Sequence, residues 1–149
     1  MLDLSIAAEE RHQRFIKRVV EFGIVWGLSF EDEWVTSTST SDEFEGATVL
    51  PFWSDRAYAQ QCAQEEWSSY IPAIIPLSEF IENWCVGMHN QDEIVGTNWN
   101  AHLTGKESEP LMLALELLRA IKLTGTPISF NKYSSLEELL SLVEGNTDK

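Results

Sequence analysis

Two short stretches of the chain hold side chains that could do chemistry. Asn98-Trp99-Asn100, followed by His102, sets amide and imidazole groups around an indole. Such a set could line a small-molecule pocket, with Trp99 as a stacking wall and Asn98, Asn100 or His102 as polar handles. The plainer alternative is a turn whose Asn side chains bond their own backbone while Trp99 packs inward. The other stretch is Trp53-Ser54-Asp55-Arg56, the joint between an apolar run and a helical pattern that closes on Trp67. Arg56 is the only Lys or Arg between Arg18 and Lys106. An ion pair with the surrounding carboxylates is its default role, and an anion site at a helix N-terminus the sharper one. Trp53 and Trp67 bracket this unit as packing or partner-binding residues.

Other chemistries fit poorly. Cys85 and His89 are four apart, but Gly87 lies between them and no second close pair follows. A structural zinc site wants four ligands, usually in two close pairs. Cys62, Cys85, His12, His89 and His102 could meet as nucleophile and base only through the fold, and no Gly-x-Ser-x-Gly elbow is present. The pairs Glu65-Glu66 and Glu137-Glu138 are adjacent on helices and diverge. Gly105-Lys106 lacks the glycine spacing and the hydroxyl residue of a phosphate loop. No catalytic residue, metal or cofactor follows from these patterns.

Composition narrows the partners. The chain has 24 acids against 10 bases, a net charge of −14, which disfavours nucleic-acid phosphate and anionic membranes. It favours a basic protein as partner. No apolar run approaches the length of a membrane span, roughly 20 residues. The N-terminal MLDLSIAAEERHQRF shows no basic leader ahead of an apolar block. With Cys62 and Cys85 both in apolar helical patterns, the expectation is a cytoplasmic protein with reduced, buried thiols.

Elements must position these groups. Ser5 is read as the cap of a helix to about Phe22, with His12, Phe15, Ile16 and Val19 as its buried stripe. Arg11, Arg14 and Arg18 share a neighbouring face, either a phosphate or acidic-partner patch or a solvated face paired with the acidic body. Runs 24–30 and 33–39 read as a β-hairpin, and 37–46 as a polar surface loop. Residues 47–53 form a third strand, at an edge or ending at Pro51. Ser54 caps a second helix whose stripe is Ala59, Cys62, Ala63 and Trp67. Residues 70–76 read as an extended edge segment. Ser78 caps a third helix that Gly87 stops. Residues 93–98 form a strand and 99–106 a loop. Ser108 caps a fourth helix, apolar nearly all round, so Leu111–Ile121 is either central or a homodimer contact. Residues 128–130 are a short strand at best. Ser135 and Glu138 make a capping box for a last helix bearing Leu136, Leu139, Leu140 and Val143, with fraying expected after Gly145.

A set of short matches runs through this order: Arg14-Phe15, Val25-Trp26-Gly27-Leu28, Trp34, Leu50-Pro51-Phe52-Trp53, Tyr58-Ala59, Cys62-Ala63, Glu66-Trp67, Pro76-Leu77, Phe80, Trp84, Val95-Gly96 and Asn98-Trp99. In these the chain resembles a family of small acidic bacterial proteins catalogued only as a domain of unknown function. The resemblance covers about residues 11–120, implies a single domain, and carries no activity or residue role.

The sequence therefore predicts an α+β fold, a small, mainly antiparallel sheet with about five helices packed on it. Residues 1–149 form a single domain in which 121–149 could be a C-terminal extension. The leading function is a non-catalytic cytoplasmic protein-binding or regulatory module with an acidic, aromatic surface, of the kind that neutralises a partner. The alternative is a small-molecule binder or enzyme with a Trp-lined pocket near Asn98–His102. The residues carrying either role are Trp53, Arg56, Trp67, Asn98, Trp99, Asn100 and His102.

Overall fold

The computed structural model describes the backbone of residues 4–147 and the side chains of residues 7–146. Helix α1 (Leu4–Phe22) already includes Leu4, so Ser5 lies inside the helix; its side chain falls outside the described residues. The predicted stripe is the buried one: His12, Phe15, Ile16 and Val19 all face the core. Gly23, at φ 72°, turns the chain out of the helix and into β1 (Ile24–Phe30). Glu31 and Asp32 both take positive φ and make the hairpin turn to β2 (Glu33–Trp34). The predicted second hairpin strand is split. β3 (Ser37–Thr38) leaves β2 and pairs instead with β4 (Thr48–Phe52) in another sheet.

There are thus two small sheets among the described residues, ordered β2-β1-β5 and β3-β4-β6-β7, with β5 at Ile71–Pro76, β6 at Ile94–Thr97 and β7 at Lys106–Ser108. Only β4 and β6 pair in parallel; the other pairings are antiparallel. A bridge joins the sheets where Trp26 and Trp53 exchange both backbone hydrogen bonds, at 2.8 and 2.7 Å. Pro51 is internal to its sheet. It sits between the end of β3 pairing at Val49 and the bridge at Trp53, a gap in which a missing N–H breaks no ladder bond.

β5 is an edge strand, as its prolines suggest. The Leu77 N–H bonds Gly23 O, which puts the odd positions toward β1. Pro72 and Pro76 therefore fall on the outward parity and leave Ile74 as the free donor there.

Three predicted caps are displaced. Helix α2 (Arg56–Cys62) starts from Asp55, not Ser54, and a single 3₁₀ turn carries the chain on to Trp67. The segments Leu77–Glu79, Phe80–Cys85 and Val86–Asn90 make one continuous helix, α3, preceded by Pro76 rather than capped by Ser78. It runs through Gly87, because packing of Phe80, Ile81, Cys85 and Met88 outweighs the small cost of one helical glycine. Helix α4 (Pro110–Thr124) starts from Glu109, with Ser108 taken up in β7, a strand absent from the sequence reading. Ile128–Phe130 is not a strand; its side chains instead pack on the core.

Helix α5 (Leu136–Thr147) has the predicted stripe, with Leu139, Leu140 and Val143 buried. The Ser135 hydroxyl accepts from Glu138 N at 3.1 Å, while the Glu138 carboxylate reaches back to Ser134 rather than to Ser135. The helix continues past Gly145 to Thr147. α5 covers α4, so Leu111, Leu113, Ala114, Leu115, Leu117, Leu118 and Ile121 are all buried within one chain. The apolar girth that suggested a homodimer through Leu111–Ile121 is satisfied by α1, α3 and α5.

The core has two parts. The larger gathers α1, α3, α4 and α5 against Val25, Leu50, Phe52, Ile75 and Val95. Phe52 meets Phe80 and Trp84 edge-to-face at 5.0 and 5.6 Å, and Trp84 meets Trp34 at 4.9 Å. The smaller gathers Trp53, Trp67 and Trp99 with Leu28, Val35, Val49 and Ile94.

Within α3, Phe80–Cys85 is a π-helical turn that carries Glu82 inward. Its carboxylate accepts from Asn131 N at 3.0 Å and Lys132 N at 3.2 Å, clasping the segment between α4 and α5. Hydrogen bonds to a charged acceptor are worth about 1.5–3 kcal/mol. Glu82→Ala should cost about 2–3 kcal/mol in urea unfolding and speed amide exchange of residues 126–135, leaving α1 protection intact; unchanged exchange there would refute the clasp.

Candidate functional site

Burial of the α1 stripe leaves Arg11, Arg14 and Arg18 along one side of the helix, facing α2 and the loop after β6. Arg18 is the base that Asp55 takes, with Nε–Oδ1 at 2.8 Å and Nη2–Oδ2 at 2.7 Å, over the Phe22 ring. Arg56, expected to pair or to bind an anion, is exposed on α2 and forms no ion pair among the described residues, and that helix is two turns long. Arg11 donates from Nε to Asn98 O at 3.0 Å and from Nη2 to Thr104 O at 3.2 Å. Arg14 donates from Nη1 to the Tyr58 hydroxyl at 2.6 Å. Among the described residues neither guanidinium forms an ion pair with a carboxylate.

Asn98 ties these elements together. It sits at φ 45° at the end of β6, a conformation that Asn tolerates better than most residues. Its Oδ1 accepts from Ser54 N at 2.8 Å, and its amide donates to Ser54 Oγ at 3.0 Å and Arg11 O at 3.1 Å. Its own N–H bonds Phe52 O. The side chain thus joins the end of β4 to α1, rather than bonding its own backbone. Asn100 does make the local turn, with Oδ1 accepting from His102 N, Thr104 N and the Thr104 hydroxyl.

Trp99 turns inward. Its indole lies where a Cβ on Gly96 or Gly105 would sit, at 2.5 Å from each, so two glycines make its slot. Its N–H reaches Lys106 O at 3.3 Å, and its carbonyl accepts the Trp53 indole N–H at 3.0 Å. Trp53 and Trp67 are core residues of the same cluster and line neither of the two clefts beside α1. His102 is exposed at the loop tip and is not brought to the other candidates.

These residues border a cleft of about 380 Å³ between α1, α2 and the 98–105 loop. α1 supplies Glu10, Arg11 and Arg14; α2 supplies Tyr58 and Gln61. Asn98, Trp99 and Asn100 close the third side. A second groove, about 480 Å³, shares Arg11 and Asn100 and contains Lys106. That ammonium is 2.6 Å from the Glu9 carboxylate. Lys106 first, and the Gln13 amide behind it, hold the Glu9 carboxyl below its ordinary value.

Beneath the cleft floor lies a row that the sequence reading did not assemble. His12 Nδ1 is 2.7 Å from the Thr97 hydroxyl, and His12 Nε2 is 3.0 Å from the Glu116 carboxylate. His12 was legible only as a stripe residue; Thr97 and Glu116 carried no signal, being 85 and 104 residues away. Hydroxyl, imidazole and carboxylate stand in triad order, but Thr97 and His12 are each 0 % exposed. Among the described residues no three His, Cys, Asp or Glu side chains converge as a metal site would need, and no helix is long and apolar enough to cross a membrane.

Both cysteines are free and buried. Burial pushes the Cys62 thiol up to about 11 from its ordinary 9.0, and raises Cys85 further. The fold thus favours the neutral thiols. The stability this confers is whole below the unfolded value near 9 and is lost as pH rises toward 11. Urea titrations should show falling stability over that alkaline window, and Cys62→Ala should flatten the part of the fall that is due to Cys62.

The fold is α+β, and the open polar cleft between α1, α2 and the 98–105 loop is the candidate site. Residues 12–117 match the family described as Protein of unknown function (DUF2750), well over half of the chain, and the chain belongs to that family. The match spans Arg14, Tyr58 and Asn98–Asn100, and stops one residue short of Arg11. No curated protein and no solved structure matches the chain.

Asn98→Ala would leave Ser54 N and Arg11 O without their side-chain partner and place Ala at positive φ. The expected loss is about 2–4 kcal/mol in chemical unfolding. A loss below about 0.5 kcal/mol, the level of an ordinary surface change, would show that Asn98 is not the tie between β4 and α1.

Proposed function

We propose that the protein is a non-catalytic binding module that holds a small molecule in the cleft between α1, α2 and the 98–105 loop. The carrying observation is convergence. Arg14, Tyr58, Gln61 and Asn100 come from three separate elements and border one concavity of about 380 Å³. Ligand sites run from about 300 to 1,000 Å³ and usually combine an apolar wall with a few directed polar groups. Here the apolar side is the Tyr58 ring, with the 4 % exposed Trp99 at its margin. The non-catalytic reading draws support from the Thr97-His12-Glu116 row, whose hydroxyl is sealed from substrate. The reading takes the cytoplasm as the compartment, with the free Cys62 and Cys85 in its favour.

A second reading has its own observation. Ile71 is exposed on one face of the β1–β5 pair, and Phe30 and Ile74 are exposed on the other, beside a half-buried Trp26. That face suits a protein partner, and the net charge of −14 suits a basic one. It does not use exposed tryptophans, since all six are buried or half-buried.

The readings separate in one experiment. Gln61 is exposed, so Gln61→Trp fills the cleft mouth without touching the core. A panel of neutral and charged metabolites is screened by thermal shift on both proteins. A ligand at a hundredfold excess over Kd contributes about 2.7 kcal/mol, a shift of several degrees that Gln61→Trp should abolish. No shift with any metabolite, together with stoichiometric recovery of a basic protein by Ile74-dependent pull-down, would favour the second reading and sink the first.

A further inference from the structure

Resting on the cleft reading, we propose that its ligand carries an oxyanion, a carboxylate or phosphate, seated on the free side of Arg14 and on Arg11. The chain has 24 acids, yet surrounds these two guanidiniums with neutral acceptors: two main-chain carbonyls for Arg11 and a phenol for Arg14. The other cations with partners are differently treated. Arg18, Lys106, Arg119 and Lys122 each meet a carboxylate. Arg11 and Arg14, three apart on one helix, stand side by side on the wall of a cleft, and among the described residues neither forms an ion pair.

The rest of the lining also presents donors. Asn100 Oδ1 is filled by three donors from its own loop, which leaves its NH₂ as the group free for the cleft. Asn98 is fully engaged inward. The bond from Arg14 Nη1 to Tyr58 leaves Nε and Nη2 as the fork that can donate to two oxygens. Glu10 is the one carboxylate on the lining. It stands four residues before Arg14, one turn away on α1, and would accept from a ligand ammonium or hydroxyl beside the oxyanion.

The test uses the full chain and isothermal titration calorimetry with three probes: inorganic phosphate, succinate, and succinamide as the neutral counterpart of succinate. Saturable binding of phosphate or of succinate, and not of succinamide, is expected, and which of the two binds identifies the source of the oxyanion. Arg14→Gln should weaken that binding about tenfold or more, and Arg14→Lys should weaken it less, since the charge stays while the fork is lost. Arg14 is exposed, so the unliganded melting temperature of both variants should stay close to that of the parent. Equal affinity in Arg14→Gln, or equal binding of succinamide, overturns the assignment. A neutral metabolite bound in the cleft overturns it as well, and leaves the binding module standing.

Discussion

The buried amide of Asn98 is the constraint on which the site depends. Two strands running in parallel, β4 and β6, end side by side, and the chain must leave both ends without abandoning polar groups in the interior. One side chain meets that need. It accepts from Ser54 N beyond β4 and donates to α1, while its own backbone turns through positive φ. That turn aims Thr97 at His12 on one side and swings Trp99 into the glycine slot on the other. The carbonyl it exposes then orients Arg11. The cleft wall is therefore set by buried hydrogen bonds.

Around that point the helices act as a lid on two small sheets. Neither sheet could hold itself together in water, since each has short strands and one strongly apolar face. α4 supplies the common surface. Its apolar girth is met on several sides at once, by α1, by the π-bearing α3 and by α5. The family match ends at Leu117, inside α4, while Ile121 and α5 complete the same core. The residues after the match are thus packed into the domain they follow.

Much of the fold could be read from the sequence, because period and turn chemistry are local. The stripes of α1, α4 and α5 and the Glu31-Asp32 hairpin needed no partner to be seen. The caps were misplaced where Ser54 and Ser108 looked right but had tertiary work, Ser54 with Asn98 and Ser108 in β7, and at Ser78, where the helix already starts from Pro76. Gly87 misled because propensity yields to burial. Of the candidate site, Asn98, Trp99 and Asn100 do meet at one cleft, and Trp53 supports it from below. Arg56 and His102 do not join them, and Trp67 is a core residue. Arg14, Tyr58 and Gln61 could not be paired by spacing. Arg14 and Tyr58 are 44 residues apart, and nothing in either neighbourhood announces the other.

The outward side of β5 has a consequence for how this molecule lives at high concentration. An exposed strand bearing Ile71 and Ile74 would ordinarily template its own kind, one copy zipping onto the next. With Pro72 and Pro76 both turned outward, each strand offers a neighbour scarcely any amide to hold. Exposed apolar side chains and an edge short of amide donors share one strand, which removes most of the N–H groups that strand-to-strand growth would need.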